Sequence, residues 1–309
     1  MNAKTTIVDV LPIVLMGGLF VLIDLLAFWV SGPFEAAGAI AFENPGDWSN
    51  LLFFFVVLIL FTALILIIAK YGKKHLIQWI FLGATGVLAV YVFYPLLALA
   101  LPDWWPLGVS IALSAILVTV LVKFPEWYVL DISGILTAVG AIAMIGISLT
   151  ILIVIVLLVA MALYDAISVY QTKHMIDLAD TLIDLKLPIL FVIPKKADYS
   201  LIKETKGLKE KLKDGEKRDA FFMGVGDVVM PGILAAAAFH TLPSNGLVVA
   251  LSVMLGTLAG FALLMVFVIK GKPQAGLPFL CPGAILGYII SSYLLFGGLV
   301  GVFGVALLF

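Results

Sequence analysis

Apolar stretches about as long as a membrane is thick recur from one end of the chain to the other. A helix needs about 20 such residues to cross the hydrocarbon core of a bilayer. Hydrophobic residues make up 63% of the 309-residue chain and charged residues 12%, whereas about 25% of the residues in soluble domains are charged. Because backbone groups in hydrocarbon must bond within the spanning segment, the sequence predicts an all-α polytopic membrane protein.

Nine apolar stretches can be distinguished. The predicted spans are residues 8–30, 50–69, 76–100, 105–122, 127–145, 148–170, 220–239, 247–269 and 282–303. The shortest break, near Gly146, separates the fifth span from the sixth, and without it the count would be eight. No clear small-residue cleavage site follows the start of the chain, so we interpret the first span as a retained helix and not as a signal peptide.

The 18 lysine and arginine residues test the count of nine. Cytoplasmic loops of membrane proteins are enriched in these residues. With nine spans all 18 fall on one side, and the loops of the opposite side, such as 31–49, 101–103 and 240–246, contain none. Eight spans would move the large basic loop to the other side. We therefore expect nine transmembrane helices, with the N-terminus cytoplasmic and the C-terminus outside.

The large basic loop divides the chain into three parts. We expect an N-terminal membrane domain of six spans at residues 1–170, a cytoplasmic loop at 171–219 and a C-terminal membrane domain of three spans at 220–309. Within the loop, 176–185 has the pattern of an amphipathic helix lying on the membrane surface, and 203–218 is charged throughout, which is typical of a solvated segment. Residues 187–194 are apolar, bracketed by prolines and rich in β-formers, which predicts an extended segment.

Four aspartates lie within the predicted spans: Asp24, Asp131, Asp165 and Asp227. Each costs roughly 2.5 to 3.5 kcal/mol to insert at the centre of a membrane helix, so each is a candidate functional residue. Asp165 and Asp227 belong to consecutive, antiparallel spans, and both lie roughly 9 to 12 Å below the inner surface at about 1.5 Å per residue. This matched depth predicts that the two carboxyls face each other.

Two facing carboxyls are the constellation that an aspartyl protease requires. Like charges a few ångströms apart share one proton, so one carboxylate can activate a water while the protonated partner polarises the scissile carbonyl. Gly224 and Gly226 precede Asp227 and allow close approach of another backbone. Tyr164 precedes Asp165, and its hydroxyl can serve a polar partner in a wet cavity.

The residues alone leave a second function open, because an ion or solute transporter or channel can use the same intramembrane carboxyls. A GxGD string is weak by itself, since glycine also permits close helix packing in membranes. For Asp24 we favour a buried, hydrogen-bonded or protonated acid, and for Asp131 an interfacial residue.

Other chemistries find little support in the sequence. His75, His174 and His240 are scattered over loops and no HExxH motif is present, which argues against a zinc protease and against a serine dyad. The single Cys281 has no histidine partner and is interpreted as a packing residue. No phosphate loop or dinucleotide motif occurs. We therefore expect no cofactor, no metal and no nucleic acid, and we relate the basic loop to orientation and anionic lipid.

Three motifs occur in a fixed order along the chain: Tyr164-Asp165 in the sixth span, Gly224-Val225-Gly226-Asp227 in the seventh, and Leu277-Pro278-Phe279-Leu280 before the ninth. Together with nine spans and a large loop between the sixth and seventh, they resemble the presenilin and signal-peptide-peptidase family. A chain this compact most resembles the archaeal presenilin homologues.

The resemblance implies a GxGD-type intramembrane aspartyl protease with Asp165 and Asp227 as its catalytic pair. It also implies that Pro278 and Leu280 occupy the first and third positions of the family's PAL motif beside the active site. Phe279 departs from the family's alanine, which leaves the substrate range and inhibitor sensitivity open because a larger side chain can narrow the substrate path.

The expected partners are transmembrane peptide substrates and the lipid bilayer, and a homo-oligomer is also allowed. The expected location is the plasma membrane of a prokaryote. An N-inside orientation resembles presenilin and favours substrates whose N-terminus is outside. Because a spanning substrate must unwind before cleavage, we also expect residues 187–194 or 276–280 to offer it a strand edge.

Overall fold

The computed structural model of the chain describes residues 3–72, 74–102, 104–170, 187–196, 199–202, 220–242, 244–269 and 274–301. Within these residues, nine helices and two strands follow in the order α1 Ala3–Ala36, α2 Ser49–Lys70, α3 Lys74–Ala98, α4 Trp105–Lys123, α5 Trp127–Gly146, α6 Ile151–Tyr170, β1 Leu190–Pro194, β2 Ala220–Gly224, α7 Val225–Thr241, α8 Gly246–Ile269 and α9 Leu277–Phe296.

The helices fit the predicted membrane protein. Eight of them are long and apolar enough to cross a bilayer, and α7 is a shorter apolar helix of 17 residues. Large apolar side chains such as Leu52 and Leu294 are exposed, which suits a lipid-facing surface. The all-α polytopic fold is confirmed, and α5 and α6 are separate helices on either side of the break after Gly146. The sidedness of the two termini stays a prediction.

The predicted starts of the seventh and ninth spans were wrong, and the ninth helix also ends at Phe296 and not at 303. Residues 220–224 form β2 and not the first turn of the seventh span, because they pair with β1 and the helix begins only at Val225. The ninth helix begins at Leu277 and not at 282, so residues 277–280 form its first turn. Pro278 suits that turn, because proline lacks an N–H where a helix has no acceptor for it. The expected strand edge at 276–280 is therefore absent.

The predicted surface helix at 176–185 and the charged segment at 203–218 lie outside the described residues. The division of the chain at residues 170 and 219 stays a prediction. The structure groups the chain into two compact units, and each unit draws on separate stretches of the sequence. The first comprises Met1–Met16, Leu52–Thr137 and His174–Val225; the second comprises Gly17–Leu51, Ala138–Lys173 and Gly226–Phe309.

The first unit contains a two-stranded antiparallel sheet in which Val192 lies opposite Phe222. The Val225 N–H donates to the Ile189 carbonyl at 2.9 Å, so these two residues form a hydrogen-bonded pair. Hydrogen-bonded and non-hydrogen-bonded pairs alternate along an antiparallel ladder. Val192 is therefore a non-hydrogen-bonded position, and its N–H points away from β2 and donates to Asp131 Oδ1 of α5 at 2.8 Å. The expected extended segment at 187–194 is confirmed over its last five residues, which form β1.

The sheet is held against α5 by a close contact. A Cβ added to Gly134 would lie 2.8 Å from the Phe191 ring, so only glycine admits this ring at its present distance. Elsewhere in the unit, the Ser114 hydroxyl on α4 donates to the Gly86 carbonyl on α3 at 2.5 Å, and hydrogen bonds of this kind tie membrane helices together.

The second unit contains an interlocked pair of helices, α8 and α9. A Cβ at Gly256 would overlap the Gly283 carbonyl, and one at Gly260 would overlap the Phe279 carbonyl. Gly287 meets the backbone of Ser252 in the same way. The two backbones therefore touch along an antiparallel crossing, as in small-residue interfaces of membrane helices.

Helices α1, α5 and α7 run in the same direction within the second unit. Gly232 of α7 lies against Asp24 of α1, and Phe239, further along α7, stacks on Phe28, further along α1, with ring centroids 5.1 Å apart. Gly146 of α5 meets Ala236 of α7. A shared direction for the first, fifth and seventh spans is what a count of nine requires.

We predict that Gly260→Ala lowers stability by about 1–3 kcal/mol, since the new methyl group overlaps backbone atoms that cannot rotate away. The measurement is the thermal unfolding midpoint in detergent. Gly83→Ala in α3 is the matched control, because nothing lies within 4 Å of its added Cβ. Equal midpoints for the two variants would contradict a tight α8–α9 crossing.

Candidate active site

Asp165 is a buried residue near the end of α6. Its Oδ2 accepts a hydrogen bond from the backbone N–H of Leu277 at 3.1 Å. Leu277 is the first residue of α9, where N–H groups have no partner within the helix. A helix N-terminus also carries partial positive charge, so this contact favours negative charge on Asp165.

Asp227 is the third residue of α7 and is partly exposed. Its carboxyl lies against Gly276, because a Cβ added there would be 2.8 Å from its Cγ and from its Oδ1. Gly276 directly precedes Leu277, the residue that contacts Asp165. The two aspartates therefore meet at the same dipeptide, Gly276–Leu277, as their matched depth predicted.

The segment before α9 is also tied to α6. The Tyr170 hydroxyl, five residues beyond Asp165 on α6, donates to Gln274 Oε1 at 2.8 Å. With the α8–α9 crossing on its other side, the start of α9 is held at two places. The backbone groups that contact Asp165 are thus held in place on two sides.

The other predicted site residues differ in their exposure and in the element to which they belong. Gly226 is exposed, and nothing lies within 4 Å of a Cβ added to it. Leu280 is buried in the first turn of α9. The side chain of Tyr164 is 42% exposed while that of Asp165 is buried, so the two neighbours on α6 point to different surroundings. Gly224 ends β2.

Phe279, which replaces the alanine of the PAL motif, packs on α8. Its ring lies 5.5 Å from that of Phe267, at an angle of 39°. The Phe279 ring, which is larger than the methyl group of alanine, therefore packs on Phe267 within the α8–α9 pair.

Sequence reasoning missed two contacts, one at the site and one at the sheet of the first unit. Gly276 has no signal beyond its place before the first motif residue, and its contact with Asp227 depends on the tertiary fold. Asp131 was interpreted as an interfacial residue, yet it accepts the outward N–H of Val192 in β1. An acid one turn into α5 and an extended segment elsewhere were both visible, but nothing in the sequence joins them.

The described residues contain no group of three histidine, cysteine or acidic side chains placed to hold a metal ion. His240 Nε2 lies 3.7 Å from Glu35 Oε1, at the opposite end of α7 from Asp227.

Residues 17–298 match the family described as signal-peptide peptidase, presenilin aspartyl protease. The chain belongs to this family. Two solved structures of a presenilin family intramembrane aspartate protease, in space groups C222 and P2, are similar to it. The first is 31% identical with a TM-score of 0.64, covering 91% of this chain and 98% of that one. The second is 33% identical with a TM-score of 0.65, covering 90% and 96%. No curated protein matches the chain.

Membership of the presenilin and signal-peptide-peptidase family confirms the intramembrane aspartyl protease and favours it over the transporter alternative. The nine-helix fold and the multi-pass membrane location agree with it.

We predict that Gly276→Ala lowers the cleavage rate of this presenilin-family protein by about 100-fold, because a displacement of about 1 Å at a catalytic group has effects of that size. The added methyl group would press on the Asp227 carboxyl. The measurement is the initial rate on a transmembrane peptide, with the unfolding midpoint as a check of folding.

Gly226→Ala serves as the matched control for folding, since its methyl group enters open space. Its unfolding midpoint should equal that of the wild type. A Gly276→Ala variant with full activity would contradict the contact with Asp227.

Proposed function

We propose that Asp165 and Asp227 are the catalytic pair with which the chain hydrolyses peptide bonds in transmembrane helical substrates. The observation that carries the proposal is their meeting at Gly276–Leu277, where one carboxyl accepts a backbone N–H and the other packs on the neighbouring Cα. Both acids also lie at helix N-termini, α9 for Asp165 and α7 for Asp227, whose partial positive charge offsets theirs.

We propose different roles for the two acids, and the Leu277 N–H on Asp165 supports the division. Asp165, with the Leu277 N–H on Oδ2, is the ionised partner and takes a proton from the attacking water. Asp227 holds the shared proton and donates it to the carbonyl oxygen as the water oxygen bonds to the carbonyl carbon. The resulting gem-diol collapses when Asp165 passes its proton to the amide nitrogen and Asp227 takes a proton from one gem-diol hydroxyl. The C–N bond breaks, a carboxylic acid and an amine leave, and both acids return to their starting states.

The remaining motif residues leave room for the substrate or hold the start of α9. Gly226 leaves space next to Asp227 for a substrate backbone. Pro278 and Leu280 form the first turn of α9 and hold the Leu277 N–H in place. Phe279, packed on Phe267, keeps its bulk against α8.

The sheet suggests how a substrate is held once it has unwound. On the edge of β1 that faces away from β2, the Val192 N–H already donates to Asp131, and Pro194 has no N–H to donate. The outward positions of β2 are Ala220, Phe222 and Gly224, by the same alternation. We propose that an unwound substrate pairs with β2, which runs without interruption into the helix that carries Asp227.

The expected setting follows from the same proposal. The protein acts within a bilayer, in the plasma membrane of a prokaryote, on peptides whose N-terminus is outside, and it needs no cofactor. Association into homo-oligomers is compatible with this function and is not required by the two-aspartate site.

We predict that Asp165→Asn and Asp227→Asn each reduce cleavage to below about 1% of the wild-type rate, since general acid–base catalysis contributes at least about 100-fold. The measurement uses purified protein in liposomes with a synthetic transmembrane peptide. Cleavage by either variant above that level would overturn the assignment.

Asp131→Asn is the matched control for these substitutions, because the asparagine oxygen can still accept the Val192 N–H. It should retain most of the activity. Ion flux in the same liposomes that disappears with Asp165→Asn, together with an uncut peptide, would favour the transporter instead.

We predict that Phe222→Pro slows cleavage roughly 2- to 10-fold more than Phe222→Ala, the value of one hydrogen bond. Proline removes an outward N–H from β2 but no bond of the β1–β2 ladder. Equal rates for the two variants would show that substrate does not pair at this edge and that side chains explain recognition.

A further inference from the structure

Asp24 is a buried acid that the catalytic pair does not use. It lies within α1, its side chain is 4% exposed, and its Oδ1 has no hydrogen-bond partner in the part of the chain that the structure describes. An isolated carboxylate in such surroundings is very costly, and a buried acid without a partner calls for an explanation.

The carboxyl of Asp24 lies directly against the backbone of α7. A Cβ added to Gly232 would be 2.6 Å from Asp24 Oδ1 and 2.6 Å from Ile142 Cδ1 of α5. Gly232 follows Asp227 by five residues, or about 7.5 Å of helix rise. Because Gly232 has no side chain, it leaves an opening on α7 through which the Asp24 carboxyl contacts the backbone of the helix that carries Asp227.

The backbone at this opening offers hydrogen-bond acceptors. Every helix carbonyl keeps a second lone pair after it has accepted its bond within the helix. Pro231, the neighbour of Gly232, has no N–H of its own. The side of a helix offers carbonyl acceptors, whereas its N–H groups are already used. A carboxylate can only accept, but a protonated carboxyl can donate. Only the acid form of Asp24 matches what α7 offers.

We propose that Asp24 is a positioning residue that, as a neutral carboxylic acid, donates a hydrogen bond to the α7 backbone at the Pro231–Gly232 opening and thereby fixes the turn carrying Asp227. The inference rests on the proposed role of Asp227. Asp24 takes no part in proton transfer to the substrate, and its contribution is to the placement of the catalytic acid.

Three variants test this role. Asp24→Asn keeps a neutral hydrogen-bond donor of the same shape, whereas Asp24→Leu keeps the approximate volume without a donor. Ser31→Ala is the matched control, since Ser31 is a buried polar residue of the same helix whose hydroxyl donates only to its own helix, at Phe28. Each is assayed on the synthetic transmembrane peptide in liposomes, with KM, kcat and the pH profile.

We expect Asp24→Asn and Ser31→Ala to stay within about threefold of the wild-type kcat with an unchanged pH profile. We expect Asp24→Leu to lose about tenfold or more in kcat with KM nearly unchanged, as for a misplaced catalytic group. Loss of activity in Asp24→Asn, or a changed limb of its pH profile, would mean that Asp24 acts as a carboxylate and would overturn the proposal. Full activity of Asp24→Leu would overturn it equally.

An infrared measurement decides the matter if Asp24→Leu does not fold or if no peptide is cut. In a background of Asp165→Asn and Asp227→Asn, protein with Asp24 should show a protonated-carboxyl band at neutral pH that Asp24→Asn lacks. Identical spectra would overturn the proposal. Because this readout needs no substrate, failure of the proteolytic function and failure of the Asp24 assignment remain distinguishable.

Discussion

The need to satisfy every backbone polar group inside hydrocarbon governs this protein. It explains why nine apolar helices make up the described membrane region, and it also defines the difficulty of cutting a peptide there. A site for hydrolysis needs irregular backbone with free N–H groups, which hydrocarbon excludes unless protein surrounds it. The chain supplies such backbone where a strand becomes α7 and where α9 begins, and the two aspartates lie at those two places.

Close helix packing makes the second of these places rigid. The contacts of Gly256 and Gly260 with α9 bring the two backbones together, so the first turn of α9 cannot move independently of α8. That turn presents the Leu277 N–H to Asp165. Glycines of α8 therefore fix the position of the N–H that contacts Asp165. They do so through van der Waals contact between the backbones of α8 and α9.

The sequence predicted whatever depends on local pattern or on depth. Apolar length predicted the spans, and equal depth predicted that Asp165 and Asp227 would meet. It failed where a tertiary partner decides the local structure: residues 220–224 are apolar enough for a helix, yet β1 pairs with them and makes them a strand. The contact of Gly276 with Asp227 was beyond reach for the same reason, because a glycine carries no pattern that names its neighbour.

The four intramembrane acids follow one rule. Asp165 and Asp131 each accept a backbone N–H that no helix uses, from Leu277 and Val192. Asp227 occupies the first turn of α7, where the partial positive charge of the helix N-terminus offsets its own.

Asp24 differs from these three because it faces the side of a helix, where carbonyls can accept a further hydrogen bond. An anion suits exposed N–H groups and a neutral acid suits an exposed carbonyl. For Asp24, Asp131 and Asp165 the local backbone therefore indicates the charge state that each acid can hold. A membrane protein built in this way can keep one carboxyl ionised for catalysis and another neutral for structure within the same helix bundle.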